Sequence, residues 1–207
     1  FIGTEIGPCR ASNRIVKGLS SIDDIALISV RGSGLLGVSG IAARTFGALA
    51  KDHISVNLIS QASSEYSICL AVNLAYADQA VESLTEEFRY NIQAGEVDQI
   101  DCERDYAIVA AVGDAMVGMP GTAGRVCEAL SKASINIRAI AQGSSERNIS
   151  LVVLRQEVSR ALRVLHSAFH LSTRTVSVGL VGPGLIGQTL LKQVESSLDE
   201  IAQYYSV

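Results

Sequence analysis

Two glutamines lie in a stretch of sequence that occurs twice in this chain. Residues 54–65 read I-S-V-N-L-I-S-Q-A-S-S-E and residues 135–146 read I-N-I-R-A-I-A-Q-G-S-S-E, an offset of 81 positions. Gln61 and Gln142 therefore hold equal places in the two copies. A Gln amide both donates and accepts hydrogen bonds, so it can recognise a hydroxyl that does the same. A single Gln at a strand end is usually a solvated turn residue, but this recurrence favours a binding role.

Glycine-rich loops precede the two copies at the same offset. They span residues 32–37 and 113–118, and a helical pattern follows each of them. The backbone N–H groups of a loop that leads into a helix could bind the carboxylate of a free amino acid. Asp114 could bind the ammonium group or cap the approach to the helix, and the sequence leaves both interpretations open. The glycines could also serve only as tight turns with positive φ.

A third glycine motif lies near residue 182. Gly182, Gly184 and Gly187 form G-x-G-x-x-G between an extended pattern at 175–181 and an amphipathic helical pattern. A strand, turn and helix of this kind bind the pyrophosphate of a dinucleotide in complete domains. The chain lacks the second strand and the acidic residue about twenty positions beyond the motif. We therefore expect this chain alone to bind no cofactor.

Two further groups of residues could have either a structural or a functional role. His166 and His170 have the i and i+4 spacing that a metal can use, but no acidic or cysteine partner is set nearby in the sequence. We expect a solvated helix face there and no metal site. Arg138 stands opposite Asn57 when the two copies are aligned. It could distinguish the two sites or lie at the interface between the domains.

Composition narrows the possible functions. Of the 207 residues, 48% are hydrophobic and 18% charged, as in soluble globular chains of one or two domains. The net charge is −4 and no basic run occurs, which argues against nucleic acid as a partner. No apolar run is long enough to predict a membrane span. The scattered cysteines favour a reducing compartment. The sequence starts at Phe1 without a signal peptide, which suggests a piece of a longer protein.

The two copies share one pattern of secondary structure. Each reads strand, helix, strand, strand, helix, and each needs a final strand. Residues 97–102 can supply that strand for the first copy. We expect residues 14–17 to supply the missing edge of the second copy, because an unpaired apolar edge invites aggregation. In the repeated stretch of the first copy, the side chains of Ile54, Val56 and Leu58 should face the helices. Those of Asn57, Ile59 and Gln61 should share the other face.

These patterns predict an α+β chain in four parts. Residues 1–24 form a linker that includes an edge strand. The first repeated domain spans residues 25–104 and the second spans residues 105–172. Residues 173–207 begin a truncated Rossmann domain of the dinucleotide-binding kind.

The repeated stretch carries a specific family resemblance. The segments V-N-L-I-S-Q-A-S-S-E-Y-S-I and I-R-A-I-A-Q-G-S-S-E-R-N-I resemble the tandem ACT regulatory domains of bifunctional aspartate kinase/homoserine dehydrogenases. The segment G-T-E-I at 3–6 is similar to the one that leaves the kinase domain. H-S-A-F-H-L-S and the later G-P-G-L-I-G resemble the start of the dehydrogenase domain in plant-type enzymes. The resemblance covers the whole chain.

The resemblance implies a fold, a function and a set of partners. The fold is a pair of ACT domains, each a ferredoxin-like βαββαβ sandwich, which are expected to form a homo-oligomer by pairing. The function is threonine feedback inhibition of flanking kinase and dehydrogenase domains, with no catalysis by this chain itself. The complete enzyme would use NAD(P). It would lie in the plastid stroma if it is plant-type, and otherwise in the cytoplasm.

The resemblance also implies a set of effector-binding residues. The Gln of each repeated stretch and the glycine-rich loops match the family's effector pocket, which gives Gln61, Gln142, Asn57, Ser33, Gly37, Asp114 and Gly118. Asn57 matches a position that carries an aspartate in lysine-sensitive kinases. Its neutral side chain disfavours lysine as the effector.

Two other functions compete with this interpretation. The first is an NAD(P)-dependent homoserine dehydrogenase whose active part begins at Val176, although it needs residues that this chain does not contain. The second is a stand-alone ACT regulatory subunit that acts on another amino-acid enzyme. The dehydrogenase-like tail argues against the second.

Overall fold

The structure, a computed structural model, describes residues 14–32, 39–61, 67–169, 171 and 184–197. Its strands are β1 (Gly18–Arg31), β2 (Val56–Ser60), β3 (Ser67–Asn73), β4 (Gln99–Val112), β5 (Ala139–Gln142) and β6 (Asn148–Leu154). Its helices are α1 (Ile41–Lys51), α2 (Ala77–Glu87), α3 (Arg89–Gln93), α4 (Thr122–Lys132), α5 (Val158–Ala168) and α6 (Leu185–Ser196). No helix in this part of the chain is long and apolar enough to cross a membrane.

The strands form one antiparallel sheet in the order β2-β3-β1-β4-β6-β5. We call residues 25–104 unit one, and residues 14–22 together with 105–169 unit two. Each unit has four neighbouring strands with helices packed on one face, which is the predicted α+β arrangement. Strands β2 and β5 contact each other, and Leu58 and Ala139 belong to one apolar cluster, although these strands lie at opposite ends of the sheet order. The sheet is therefore strongly curled.

Two long strands run through both units. The first half of β1 pairs with the end of β4, from Gly18 opposite Val112 to Ile22 opposite Ile108. The second half pairs with the start of β4 and also with β3. The start of β4 is thus the fourth strand of unit one, and the start of β1 is the fourth strand of unit two.

The N-terminal segment completes unit two, and the paired strand begins later than the expected residues 14–17. Strand pairing starts at Gly18, while the N–H of Lys17 donates to the carbonyl of Val112 at 2.8 Å. Val16 is 1% exposed and packs in the core of unit two. Within unit two this segment pairs with β4 on one side, as an edge strand does, whereas the second half of β1 lies in unit one and is paired on both sides.

The cores of the two units repeat each other. Buried residues at the 81-residue offset include Leu49 of α1 and Leu130 of α4. Leu84 of α2 and Leu165 of α5 form a second such pair. These apolar residues recur along each helix at intervals of about one turn, so each helix buries one stripe against the sheet. A third cluster on the opposite face of the sheet joins the two units.

A β-bulge in β2 overturns part of the predicted side-chain alternation. Val56 lies opposite Val72 and packs against the helices as expected, but the register shifts before Leu58. Leu58 then lies opposite Ala71 and is buried in the cluster on the other face of the sheet. Ile59, opposite Leu70, is turned to the helix side, so the odd-numbered residues do not share the predicted face. An extra residue in one strand reverses the direction of every later side chain.

Gly32 and Gly113 allow close approach between backbones at equal places in the two units. A Cβ at Gly113 would lie 2.2 Å from the carbonyl oxygen of Ile15, and one at Gly32 would lie 2.1 Å from that of Glu96. Gly113 has an extended backbone with φ −175, so it is not the positive-φ turn considered from the sequence. The missing side chain is the requirement here.

Gly113→Ala should destabilise the fold by about 1–3 kcal/mol, because the added methyl group must displace the backbone of residues 15 and 16. The matched control is Gly124→Ala in α4, where an added Cβ has no atom within 4 Å. That change should stabilise the helix by about 0.5–1 kcal/mol. Urea unfolding of the two variants measures the difference. Equal midpoints would show that the close approach carries no strain.

Candidate functional site

The loop between β4 and α4 forms one side of the candidate site in unit two. It begins at Gly113, makes a 3₁₀ turn at Asp114–Met116, and passes through Gly118 with φ 65. α4 then starts after Gly121, whose φ is 84 and which provides no side-chain cap. The first N–H groups of α4 are therefore left without a side-chain partner from the capping residue.

The turn that follows Gln142 lies against this loop. The N–H of Gly113 donates to the carbonyl of Arg147 at 3.0 Å, and the N–H of Gly118 donates to Oε2 of Glu146 at 2.6 Å. The structure therefore brings together the turn that follows Gln142 and the glycine-rich loop. Gln142 itself is exposed, at the end of β5 and opposite Ile149. Its amide is accessible to a ligand.

Asp114 is engaged in ion pairs. Its Oδ2 lies 2.6 Å from Nζ of Lys17, and its Oδ1 lies 3.8 Å from Nε of Arg147. The hydrogen bond from Lys17, helped by the charge of that residue, lowers the pKa of Asp114 below its ordinary value. Asp114 is the first residue of the 3₁₀ turn and follows Gly113, which is the capping residue.

Unit one shows only part of the matching site. Gln61 is exposed directly after β2, and Asn57 is exposed within the bulge of that strand. Ser33 and Gly37 lie outside the described residues.

Arg138, the counterpart of Asn57, forms an ion pair across the two units. Its guanidinium donates to Oε1 of Glu103 in β4, and the hydroxyl of Tyr106 donates to Oε2 of the same carboxylate at 2.9 Å. The hydrogen bond from Arg138 holds the pKa of Glu103 below its ordinary 4.5. Of the two roles that the sequence left open for Arg138, this contact supports the one at the interface.

The dinucleotide motif is described only at its helical end. Gly184 precedes α6 in an extended conformation, and Gly187 is buried in the first turn of that helix. These are the places that the second and third glycines of the motif require. Gly182 and the expected strand at 175–181 lie outside the described residues. No group of three His, Cys, Asp or Glu side chains in the described ranges could hold a metal ion.

A groove on the outer side of unit one lies away from the candidate site. It runs between α1 and α2 and is lined mainly by polar side chains, among them Asp52, Asp78, Glu82, Glu86 and Glu87. None of the predicted effector residues lines it. The groove is therefore unrelated to the repeated glutamines.

Sequence reasoning missed the charged partners of the loop. Glu146 binds the amide of Gly118, and Lys17 binds Asp114, but neither was predicted as a site residue. One indication was present for Glu146, because S-S-E recurs in both copies. No local pattern indicated Lys17, which lies 97 positions before Asp114 in the sequence and reaches the loop because the start of β1 pairs with the end of β4.

Comparison with protein families gives two matches. A family model described as ACT domain matches residues 28–88 and again residues 109–169. The matches begin 81 residues apart, as the repeated stretches do.

Two curated relatives of the chain are bifunctional plant enzymes. The chain is 44% identical over 192 residues to "Bifunctional aspartokinase/homoserine dehydrogenase 1, chloroplastic" of Arabidopsis thaliana, a match that covers 93% of this chain and 21% of the relative. It is 46% identical over 179 residues to the chloroplastic enzyme of Daucus carota, which covers 86% of this chain and 19% of the relative. The chain spans about a fifth of the length of these relatives.

Solved structures agree with these relatives. The aspartate kinase from Synechocystis matches with a TM-score of 0.68 and 31% identity. The match covers 85% of this chain and 30% of that one.

The Glu103 ion pair makes stability depend on pH. Because the pKa of Glu103 is lower in the folded chain, its contribution is present above about pH 4.5 and is lost as the pH falls through the folded value. Glu103→Gln should lower the urea midpoint at pH 7, and the difference from the unsubstituted chain should shrink at pH 3.5. Glu82→Gln, on the exposed surface of α2, is the control and should change little. A difference in urea midpoint between Glu103→Gln and the unsubstituted chain that is the same at both pH values would contradict this role.

Proposed function

This chain belongs to the ACT domain family, and we propose that its tandem pair is the amino-acid-sensing regulatory region of a bifunctional aspartate kinase/homoserine dehydrogenase. The observation that carries the proposal is the recurring Gln, which in unit two is exposed just before a turn that contacts a glycine-rich loop. The similarity to the plant relatives extends over 93% of the chain and supports the same assignment. The chain itself is proposed to be noncatalytic.

The proposed effector is threonine, bound at sites that include Gln61 and Gln142. A free amino acid presents a carboxylate, an ammonium group and a side chain. Backbone N–H groups of the loop and of the first turn of α4 suit the carboxylate, and strand-edge carbonyls or Asp114 suit the ammonium group. A Gln amide suits the threonine hydroxyl, which both donates and accepts. A site built around that hydroxyl should reject valine, which has a similar shape without it.

Lysine fits the described residues less well. Asn57 in unit one is neutral, and the matching residue in unit two is the cation Arg138. Neither side chain would attract the ammonium group of a lysine side chain. The carboxylate of Glu103 forms an ion pair with Arg138, so its charge is already engaged.

The proposed mechanism is a shift between two arrangements of the ACT pair. Threonine binds one arrangement more tightly and shifts the equilibrium between the two arrangements, by no more than the difference between its affinities for them. That shift changes the activity of the flanking domains. The two long strands, β1 and β4, join the units in one sheet. A change at the loop of unit two could therefore reach unit one through strands that both units share.

The partners that we propose are the flanking kinase and dehydrogenase domains and a second copy of the chain. Ile59 and Ile140, at equal places on the edge strands β2 and β5, are 48% and 43% exposed. Exposed apolar residues on edge strands favour association of sheets. NAD(P) would bind in the complete dehydrogenase domain, of which α6 forms part. The chloroplastic relatives support a plastid stroma location.

Calorimetric titration of the 207-residue chain with threonine tests this proposal, with lysine and valine as controls. We expect two threonine sites per chain and no heat from lysine or valine. Gln142→Ala should weaken one site by about tenfold, because a hydrogen bond to the hydroxyl is lost. Gln61→Ala should weaken the other site. Unchanged stoichiometry and affinity in both variants would exclude the glutamines as ligands, and absence of heat from the folded chain would exclude threonine as the effector.

A further inference from the structure

The loop of unit two already holds one carboxylate and one ammonium group, and both come from the chain itself. The carboxylate belongs to Glu146 and the ammonium group to Lys17. These are the two charged groups that every free amino acid presents. The inference below rests on the proposed function, because it concerns the same site.

The first contact occupies the amide of Gly118. Oε2 of Glu146 accepts from this N–H at 2.6 Å, which is short and therefore typical of a charge-assisted hydrogen bond. Glu146 has φ 54, a backbone conformation that is uncommon for residues other than glycine. The turn is further fixed by the bond from the N–H of Glu146 to the carbonyl of Gly143 at 2.9 Å. The turn thus holds a carboxylate at an amide of the loop.

The second contact occupies the carboxylate of Asp114. Nζ of Lys17 lies 2.6 Å from Oδ2 of Asp114, four residues before Gly118. Lys17 directly precedes β1, and its own N–H is bound to the carbonyl of Val112. The ammonium group therefore reaches the loop from the segment that enters the shared sheet.

We propose that Glu146 and Lys17 act as internal stand-ins for the carboxylate and the ammonium group of an amino-acid effector. Unit two is then occupied by its own side chains when no effector is bound. An amino acid binds there by displacing both groups, so its affinity is lowered by the contacts that it must break. Its binding also releases Lys17, and with it one of the contacts that hold the chain at the start of β1.

The two units differ in one of these contacts. At the 81-residue offset, Asp114 corresponds to Ser33 and Lys17 corresponds to Asp98. Unit one therefore has no equivalent Lys and Asp pair in its sequence. The internal ammonium group is specific to unit two, so unit one is the site of higher affinity.

The experiment compares threonine titrations of the full chain with those of the double variant Lys17→Met/Glu146→Gln. Removing both stand-ins should tighten one of the two sites by roughly tenfold, because the effector no longer displaces charge-assisted contacts. Adding Gln142→Ala should abolish that gain, which assigns it to unit two. The control is Lys132→Met/Glu128→Gln, which removes an exposed ion pair of 2.7 Å on α4 and should leave both affinities unchanged.

Each outcome decides between the two levels of the hypothesis. Threonine binding that is unchanged or weaker in the double variant overturns the stand-in role while the proposed function stands. Absence of threonine binding in the unsubstituted chain and in every variant overturns both. If the double variant does not fold, the single variants Lys17→Met and Glu146→Gln replace it, and each should tighten the same site by a smaller factor. Faster hydrogen exchange at the Gly118 amide in Glu146→Gln reports loss of the contact directly.

Discussion

The pairing of β1 with β4 is the contact on which the rest of the structure depends. Both strands are fourteen residues long, and each contributes one half to either unit. Unit one lacks its fourth strand without the start of β4, and unit two lacks its fourth strand without the start of β1. Buried backbone groups require partners, so neither sheet is complete alone. The two units are therefore expected to unfold together.

The same pairing builds one wall of the proposed effector site. It places the backbone of Ile15 and Val16 against Gly113, where no Cβ could be accommodated. One residue further on, Lys17 reaches Asp114 at the start of the loop. Loop and sheet are thus linked through consecutive residues of one segment. In the proposed mechanism, this linkage is the element that a ligand at the loop would bias.

The duplicated units have kept their cores and changed their surfaces. α2 and α5 bury matching residues, Ala80 with Ala161 and Leu84 with Leu165. The exposed charged residues of α2 are acidic (Asp78, Glu82 and Glu86), whereas α5 carries the basic residues Arg160 and Arg163 at exposed positions. Close packing restricts core volumes, whereas surface substitutions cost little. The charged groups around the two loops have also diverged, so the two sites are not expected to bind equally.

The amino-acid sequence by itself determined the duplication, the element pattern of each unit, the buried helix stripes and the segment that completes unit two. Repeats and apolar spacing can be read from the order of the residues alone, without knowledge of any tertiary contact. Only the tertiary structure decided that Leu58 turns away from the helices, because the bulge depends on the register with β3. It also decided the partners of Asp114, Gly118 and Arg138. Those contacts join residues 97, 28 and 35 positions apart, and no local pattern specifies which distant side chains the folded sheet brings together.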